Sequence, residues 1–140
     1  KGNHSLLKYK GASNLIINET ELRYEMRDNT SLTENLLKKF ASNNNFKILI
    51  VTRGINGTIF YNKKKNQIIK IPAFSNSVVD KVGTGDVMLS IIALFFSTTS
   101  NYQLGILAGS MFASKSLKKF GNENILNLSE LSKFFSTFLK

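Results

Sequence analysis

The stretch Asp80-Lys81-Val82-Gly83-Thr84-Gly85-Asp86 puts two carboxylates and two glycines directly ahead of an apolar run that begins Val87-Met88-Leu89. Glycines one residue apart let a backbone take angles that a β-carbon forbids and come close to a ligand. Because Gly83, Thr84 and Gly85 precede a helix, the unpaired N–H groups of its first turn converge there, and the helix dipole favours negative charge. Such a loop is prepared for a phosphate. A carboxylate in an anion site repels the ligand, so Asp86 needs a reason to be there. It has one if it accepts a proton from a hydroxyl while the neighbouring N–H groups hold the charge that develops during phosphoryl transfer. The plainer alternative is that Asp86 is a first-turn acid serving its own helix and that the glycines only make a turn. Asp80 adds weight to the first reading, since a second acid enters the same loop in a chain with nine Asp and Glu. A Walker A loop is excluded, because no Gly-x-x-x-x-Gly-Lys-Ser/Thr occurs, and no Gly-x-Gly-x-x-Gly follows a strand.

The elements that must position this loop alternate between strand and helix. Asn14-Leu15-Ile16-Ile17-Asn18 reads as a short buried strand, followed by a helix over 19–28 with Glu19 and Glu21 in its first turn. Ser31 and Glu34 have capping-box spacing and open a second helix through Phe40 and Ala41, stopped by Asn43-Asn44-Asn45. Lys47-Ile48-Leu49-Ile50-Val51-Thr52 is the clearest strand, a β-branched run of the kind buried on both faces. Gly54 and Gly57 mark a turn, and strands over 58–61 and 67–71 form a hairpin around Lys63-Lys64-Lys65-Asn66, ended by Pro72. A short extended segment over 77–80 leads into the glycine loop. Helices follow over 84–97 and 102–120, and a final amphipathic helix starts near Ser129. These elements make one α/β domain with a largely parallel sheet between helices, the helices over 84–97 and 102–120 covering one sheet face. Nothing recognisable opens the chain ahead of Asn14, which reads as part of a larger domain.

Composition narrows the chemistry. The chain has 140 residues, 42% of them hydrophobic and 20% charged, which is globular and long enough to bury about two thirds of its unfolded surface. It has no cysteine, so disulfides and thiolate metal sites are excluded, and its only histidine is His4. The longest apolar stretch, Val87 to Phe96 with Ser90 inside it, is half of what a bilayer needs, and no signal peptide appears; the expected location is cytoplasmic. Nineteen Lys and Arg give a formal charge of +10, which points to anionic partners: nucleic acid, an acidic membrane surface or phosphorylated small molecules. Lysines cluster at 63–65 and at Lys115, Lys118 and Lys119, but no aromatic-basic interleaving or helix-turn-helix pattern supports nucleic acid. The cluster at 63–65 lies between two strands and reads as a solvated turn.

Asp80-Lys81-Val82-Gly83-Thr84-Gly85-Asp86 resembles the C-terminal signature of the ribokinase-like (PfkB) carbohydrate kinases, Asp-Thr-x-Gly-Ala-Gly-Asp, with Lys81 and Thr84 in place of the usual Thr and Ala. Two more segments resemble the family's motifs in the family's order. Asn18-Glu19-Thr20-Glu21 looks like its Asn-x-x-Glu motif, and Thr52-Arg53-Gly54-Ile55-Asn56-Gly57 its Thr-x-Gly-x-x-Gly nucleotide-phosphate turn. Each has a plain reading beside it: Asn18 and Glu21 as a helix cap, the glycines as an ordinary turn, Arg53 as a surface charge. Gly109 to Gly121 looks like the family's adenine-pocket helix, with Ser110 where Asn or His is common. With Lys8-Tyr9 upstream, the region through Arg23 looks most like sugar kinase modules sometimes joined to a nucleotidyltransferase.

The resemblance implies a three-layer, ribokinase-like α/β fold, with residues 1–140 as the C-terminal part of a kinase domain roughly twice as long. It implies ATP-dependent phosphorylation of a hydroxyl on a sugar or sugar phosphate. Asp86 is then the catalytic base, and Gly83, Thr84 and Gly85 form the anion hole. Thr52, Gly54, Gly57 and Asn18 handle the nucleotide phosphates, and Ser110 lies at the base. Mg2+ is placed with help from Glu21, which can hold a metal through water, and Asp80 orders the loop or lies near a monovalent cation such as K+. The implied partners are a missing N-terminal half, which carries the sugar pocket, or a second copy of the chain. A catalytically silent module of the same fold is the first alternative, and a basic nucleic-acid-binding domain the second.

Overall fold

The structure is a computed structural model that describes residues 11–74, 84–99, 101–116, 129, 132–133 and 136. The elements are β1 (Asn14–Asn18), α1 (Glu19–Met26), α2 (Thr33–Asn43), β2 (Ile48–Thr52), a 3-10 turn (Gly54–Asn56), β3 (Thr58–Asn62), β4 (Gln67–Ile71), α3 (Thr84–Thr98) and α4 (Tyr102–Ser116). Ser129, Ser132, Lys133 and Ser136 are helical and exposed, at the expected final helix, whose other residues lie outside the described ones. So do the expected extended segment over 77–80 and the end of the helix expected to reach Phe120.

The strands lie in the order β1-β2-β3-β4. β1 runs parallel to β2, with Asn14 opposite Ile48 and Asn18 opposite Thr52, whereas β2–β3 and β3–β4 are antiparallel. Among the described residues the sheet is therefore mixed, and the expectation of a largely parallel one is corrected. The reason is connection length. Only the stretch holding α1 and α2 can carry the chain back for a parallel return, while the two later connections are short turns that can only reverse it.

Period-two alternation splits the sheet's side chains between two layers of helix. Ile17, Leu49, Val51, Ile59 and Tyr61 join Leu22 of α1 and Leu36, Leu37 and Phe40 of α2 in one buried cluster. Ile48, Ile50, Phe60 and Ile71 face the other way and cluster with Met88 and Ile92 of α3 and Ile106 and Ala113 of α4. α3 and α4 thus cover one sheet face, as their apolar composition requires. Aromatic packing pins both sides: Phe40 stacks on Phe46 with centroids 5.6 Å apart, and Tyr102 stacks on Phe60 and meets Phe96 edge-on at 4.8 Å. Leu37, Leu49 and Phe60 are each fully buried, which stabilises the fold by roughly 1.5–3 kcal/mol per side chain.

The second helix begins differently from expectation. Its N-cap is Leu32, which has no capping side chain, and Thr33 is the first helical residue. Ser31 and Glu34 make no capping box, because Asp28 captures Ser31 first: the Asp28 carboxylate accepts the backbone N–H groups of Thr30 and Ser31, each at 2.9 Å, and the Ser31 hydroxyl at 2.7 Å. Those bonds, led by the Ser31 backbone N–H, hold the Asp28 carboxyl well below the usual carboxylate range. Asp28 organises the turn joining α1 to α2 together with Arg23, whose Nη1 donates to Ser31 O at 3.1 Å. The lysines at 63–65 do occupy the hairpin turn, where Asn66 takes a left-handed φ of 45°.

Gly57 has φ +79°, and a Cβ there would stand 2.1 Å from the Ile71 carbonyl oxygen, whereas Gly54, at φ +55°, has nothing within 4 Å. Gly57→Ala should therefore lower stability by about 2–3 kcal/mol or more, and Gly54→Ala by only about 1 kcal/mol. Equal shifts in urea midpoint would contradict this. Asp28→Ala should lower the midpoint at neutral pH. Because the folded-state value is depressed, the contribution is complete above the ordinary aspartate range and is lost as the pH falls towards the folded value, so the gap between variant and wild type should narrow below about pH 4. A gap independent of pH would rule the carboxylate out as its source.

Candidate functional site

Parallel pairing sends the chain out of β1 and β2 on the same side, at the carboxyl ends where ligands gather in α/β folds. Asn18 and Thr52 are direct partners in the register, so the segments that start from them are neighbours. Asn18 caps α1: its Oδ1 accepts the Glu21 backbone N–H at 2.7 Å, and Glu21 Oε2 accepts the Asn18 N–H at 2.9 Å. This reciprocal pair is the capping box of the chain. It does not exhaust either side chain. Both residues are exposed, and among the described residues Asn18 Nδ2 and Glu21 Oε1 have no partner. An amide donor and a carboxylate oxygen therefore remain available to phosphate and to metal-bound water.

Glu19, between them, is the hub of the region. Its Oε1 accepts Arg23 Nη2 at 2.8 Å and the Thr33 hydroxyl, and its Oε2 accepts Arg53 Nε at 3.1 Å. One carboxylate thus ties the first turn of α1 to the start of α2 and to the turn after β2. Burial alone would raise the Glu19 carboxyl, but the bonds from Thr33, Arg23 and Arg53 outweigh it and bring the group below its ordinary value. Glu34 is also lowered, chiefly by its hydrogen bond from Lys70, with the charge of Arg53 adding to the effect.

The turn from Arg53 to Gly57 closes on itself: Arg53 N–H donates to Gly57 O at 2.8 Å, and Gly57 N–H to Gly54 O at 3.0 Å. The Thr52 hydroxyl is half-buried and points back to Ile17 O at 3.4 Å. Gly57 is demanded by packing, as its lack of room shows. Gly54 is exposed with open space beside it, so a ligand can approach its backbone.

Thr84, Gly85 and Asp86 form the first turn of α3. Gly85 and Asp86 are exposed, a Cβ on Gly85 would meet nothing within 4 Å, and among the described residues the Asp86 carboxylate has no hydrogen-bond or ion-pair partner. Met88, one turn after Thr84, is buried in the cluster that joins α3 to the sheet, and so anchors this end of the helix. Asp80 and Gly83 lie outside the described residues. Ser110 sits midway along α4 with its Oγ shielded from solvent and without a partner, so this side chain is not open to a base in the described structure. The described residues hold no cluster of three His, Cys, Asp or Glu that could hold a metal ion.

The structure brings Asn18, Glu21, Thr52, Gly54 and Gly57 together at one sheet end, and Ser110 lies on α4. Sequence reasoning missed Glu19 as the hub. Its i,i+4 spacing to Arg23 was a readable signal, whereas its bond to Arg53 depends on the register of β1 against β2.

The chain shares its fold with the ribokinase-like proteins. It superposes on a ribokinase from Thermotoga maritima with a TM-score of 0.73 at 23% identity, over 91% of this chain and 43% of that one. It superposes on phosphofructokinase-2 from Escherichia coli in complex with potassium with a TM-score of 0.75 at 14% identity, over 96% of this chain and 43% of that one. Over 121 residues it is 31% identical to an uncharacterized sugar kinase of Buchnera aphidicola subsp. Schizaphis graminum (strain Sg), which covers 84% of this chain and 38% of the relative. The chain therefore spans about two fifths of the length of these relatives. With the pfkB family carbohydrate kinase model matching residues 5–127, the chain belongs to the pfkB family of carbohydrate kinases.

Proposed function

We propose that residues 1–140 are the nucleotide-binding and base-bearing part of an ATP-dependent kinase that phosphorylates a hydroxyl of a sugar or sugar phosphate. The observation that carries the reading is the first turn of α3: Asp86 is exposed beside Gly85 and, among the described residues, its carboxylate has no partner and Gly85 no close neighbour.

In the proposed reaction Asp86 accepts the proton of the acceptor hydroxyl as its oxygen bonds to the γ-phosphorus. The bond from that phosphorus to the β,γ-bridging oxygen breaks, and ADP leaves with the electron pair. The backbone N–H groups of Gly83, Thr84 and Gly85 hold the charge on the transferring group. Thr52, Gly54 and Gly57 form the turn that seats the phosphates, with Asn18 Nδ2 as a further donor. The donor set fits Mg2+ through water, with Glu21 Oε1 as the protein's oxygen; when bound, the ion neutralises charge on the phosphates. Asp80 is assigned the neighbourhood of a monovalent cation, and the potassium complex of the E. coli relative supports that class of ion. Ser110 is assigned a place beside the base, which requires its hydroxyl to be uncovered first.

The sugar-selecting part is assigned to an N-terminal half or to a second copy of the chain. The outer edge of β1 supports this, since β1 has one paired neighbour among the described residues. Beside that edge, Ile16, Ile48, Leu89, Ala93 and Phe96 line an apolar groove, and Leu89 is half exposed. A cytoplasmic location accords with this substrate class, and no helix among the described residues is long and apolar enough to cross a membrane.

On the full polypeptide that carries these residues, Asp86→Asn should lower turnover about 10²–10⁴-fold while leaving magnesium-ATP affinity intact. In calorimetric titration at two salt concentrations, Gly85→Val should abolish saturable magnesium-ATP binding, because its side chain would occupy the space the proposed anion hole leaves to the phosphate. Binding equal in both proteins and erased by salt would mean a silent module of this fold. Robust sugar phosphorylation by the 140-residue chain alone would contradict the assigned division of labour.

A further inference from the structure

Arg53 stands between Thr52 and Gly54 at the carboxyl end of β2, and its guanidinium is only partly used. Nε donates to Glu19 Oε2 at 3.1 Å, and among the described residues Nη1 and Nη2 have no partner. The side chain remains 24% exposed, so solvent and ligands can reach it. A guanidinium held through Nε keeps its two terminal nitrogens as a planar fork, which matches a pair of phosphate oxygens. Its holder is itself held: Glu19 is engaged by Arg23 and Thr33, so the Arg53 side chain is ordered before any ligand arrives and gives up less entropy on binding. The local charge also points one way. In the ion pairs of this region, Glu19 and Glu34 face Arg23, Arg53 and Lys70, which leaves one positive charge in surplus. Arg53 follows the strand position that pairs with Asn18, whose Nδ2 is also unused, and precedes Gly54, whose backbone is open.

We infer that Arg53 is a phosphate-binding residue of this protein, that Glu19 is its positioning residue, and that the pair makes the site favour a nucleoside polyphosphate over the bare nucleoside. The inference rests on the ATP-dependent reading above and names a residue that reading leaves unused. An ion pair that merely braced the fold would lower stability when broken and would leave the relative affinity for ATP and adenosine unchanged.

The test is titration of the full polypeptide that carries these residues with magnesium-ATP and, separately, with adenosine. Arg53→Leu should weaken magnesium-ATP about tenfold or more, and Glu19→Gln by several-fold, with adenosine affinity in both within about twofold of wild type. If Arg53→Leu does not fold, Arg53→Lys keeps a charge without the fork and should still lose several-fold in magnesium-ATP alone. Wild-type protein that binds neither ligand would defeat the ATP-dependent reading itself. Wild-type binding with Arg53 variants that lose both ligands equally, or lose neither, would overturn this inference and leave that reading standing.

Discussion

The parallel pairing of β1 with β2 is the constraint from which the rest of the molecule follows. A parallel return needs an excursion out of the sheet, and α1 and α2 supply it while burying Leu22, Leu36, Leu37 and Phe40 against one sheet face. The register then places Asn18 against Thr52, so that everything leaving the two strands leaves on the same side. Glu19 and Arg53, 34 positions apart in the chain, meet for that reason. The antiparallel hairpins beyond β2 widen the sheet and give α3 and α4 a surface to cover, which anchors the start of α3 through Met88.

The same residues serve the fold and the site, because a side chain with several polar atoms need not spend them all in one place. Asn18 and Glu21 make a complete capping box and still leave an amide donor and a carboxylate oxygen in solvent. The cap and the phosphate reading are therefore not rivals; the cap holds the remaining atoms in fixed positions. Glycines divide more sharply. Gly57 is required by the Ile71 carbonyl against which it packs, while Gly54 and Gly85 face open space.

Glu19 shows how a charge can be placed without being isolated. Its carboxylate is partly buried, which alone would favour protonation, yet donors from three elements keep it ionised. The charge is neutralised in situ, and the surplus left on the surrounding cations belongs at a sheet end where an anionic ligand is expected. A net charge of +10 says little about where an anion would sit; a shared carboxylate with one half-used arginine says much more.

Local chemistry was legible from sequence wherever neighbours along the chain decide the outcome. The β-branched run at Ile48 to Thr52 became a strand, Pro72 followed the end of β4, the lysines at 63–65 became a turn, and the apolar runs after Thr84 and Tyr102 became helices. The motif segments at Asn18 and Thr52 fell at strand ends, as their punctuation implied. What failed was settled by competition or by distance. Ser31 and Glu34 had the spacing of a cap, but Asp28 offered the Ser31 hydroxyl and backbone N–H a closer acceptor, so α2 starts uncapped at Thr33. The sheet is mixed because strand direction depends on connection length and on which faces the helices cover, not on the composition of any strand. The sequence by itself determined most of the residues that form strands, turns and helices, since propensity, capping and glycine geometry act within a few residues. Only the tertiary structure decided that Glu19 grips Arg53, that Gly57 is architectural while Gly54 and Gly85 are open, and that Ser110 is covered, because each depends on atoms brought together from elements far apart in the chain.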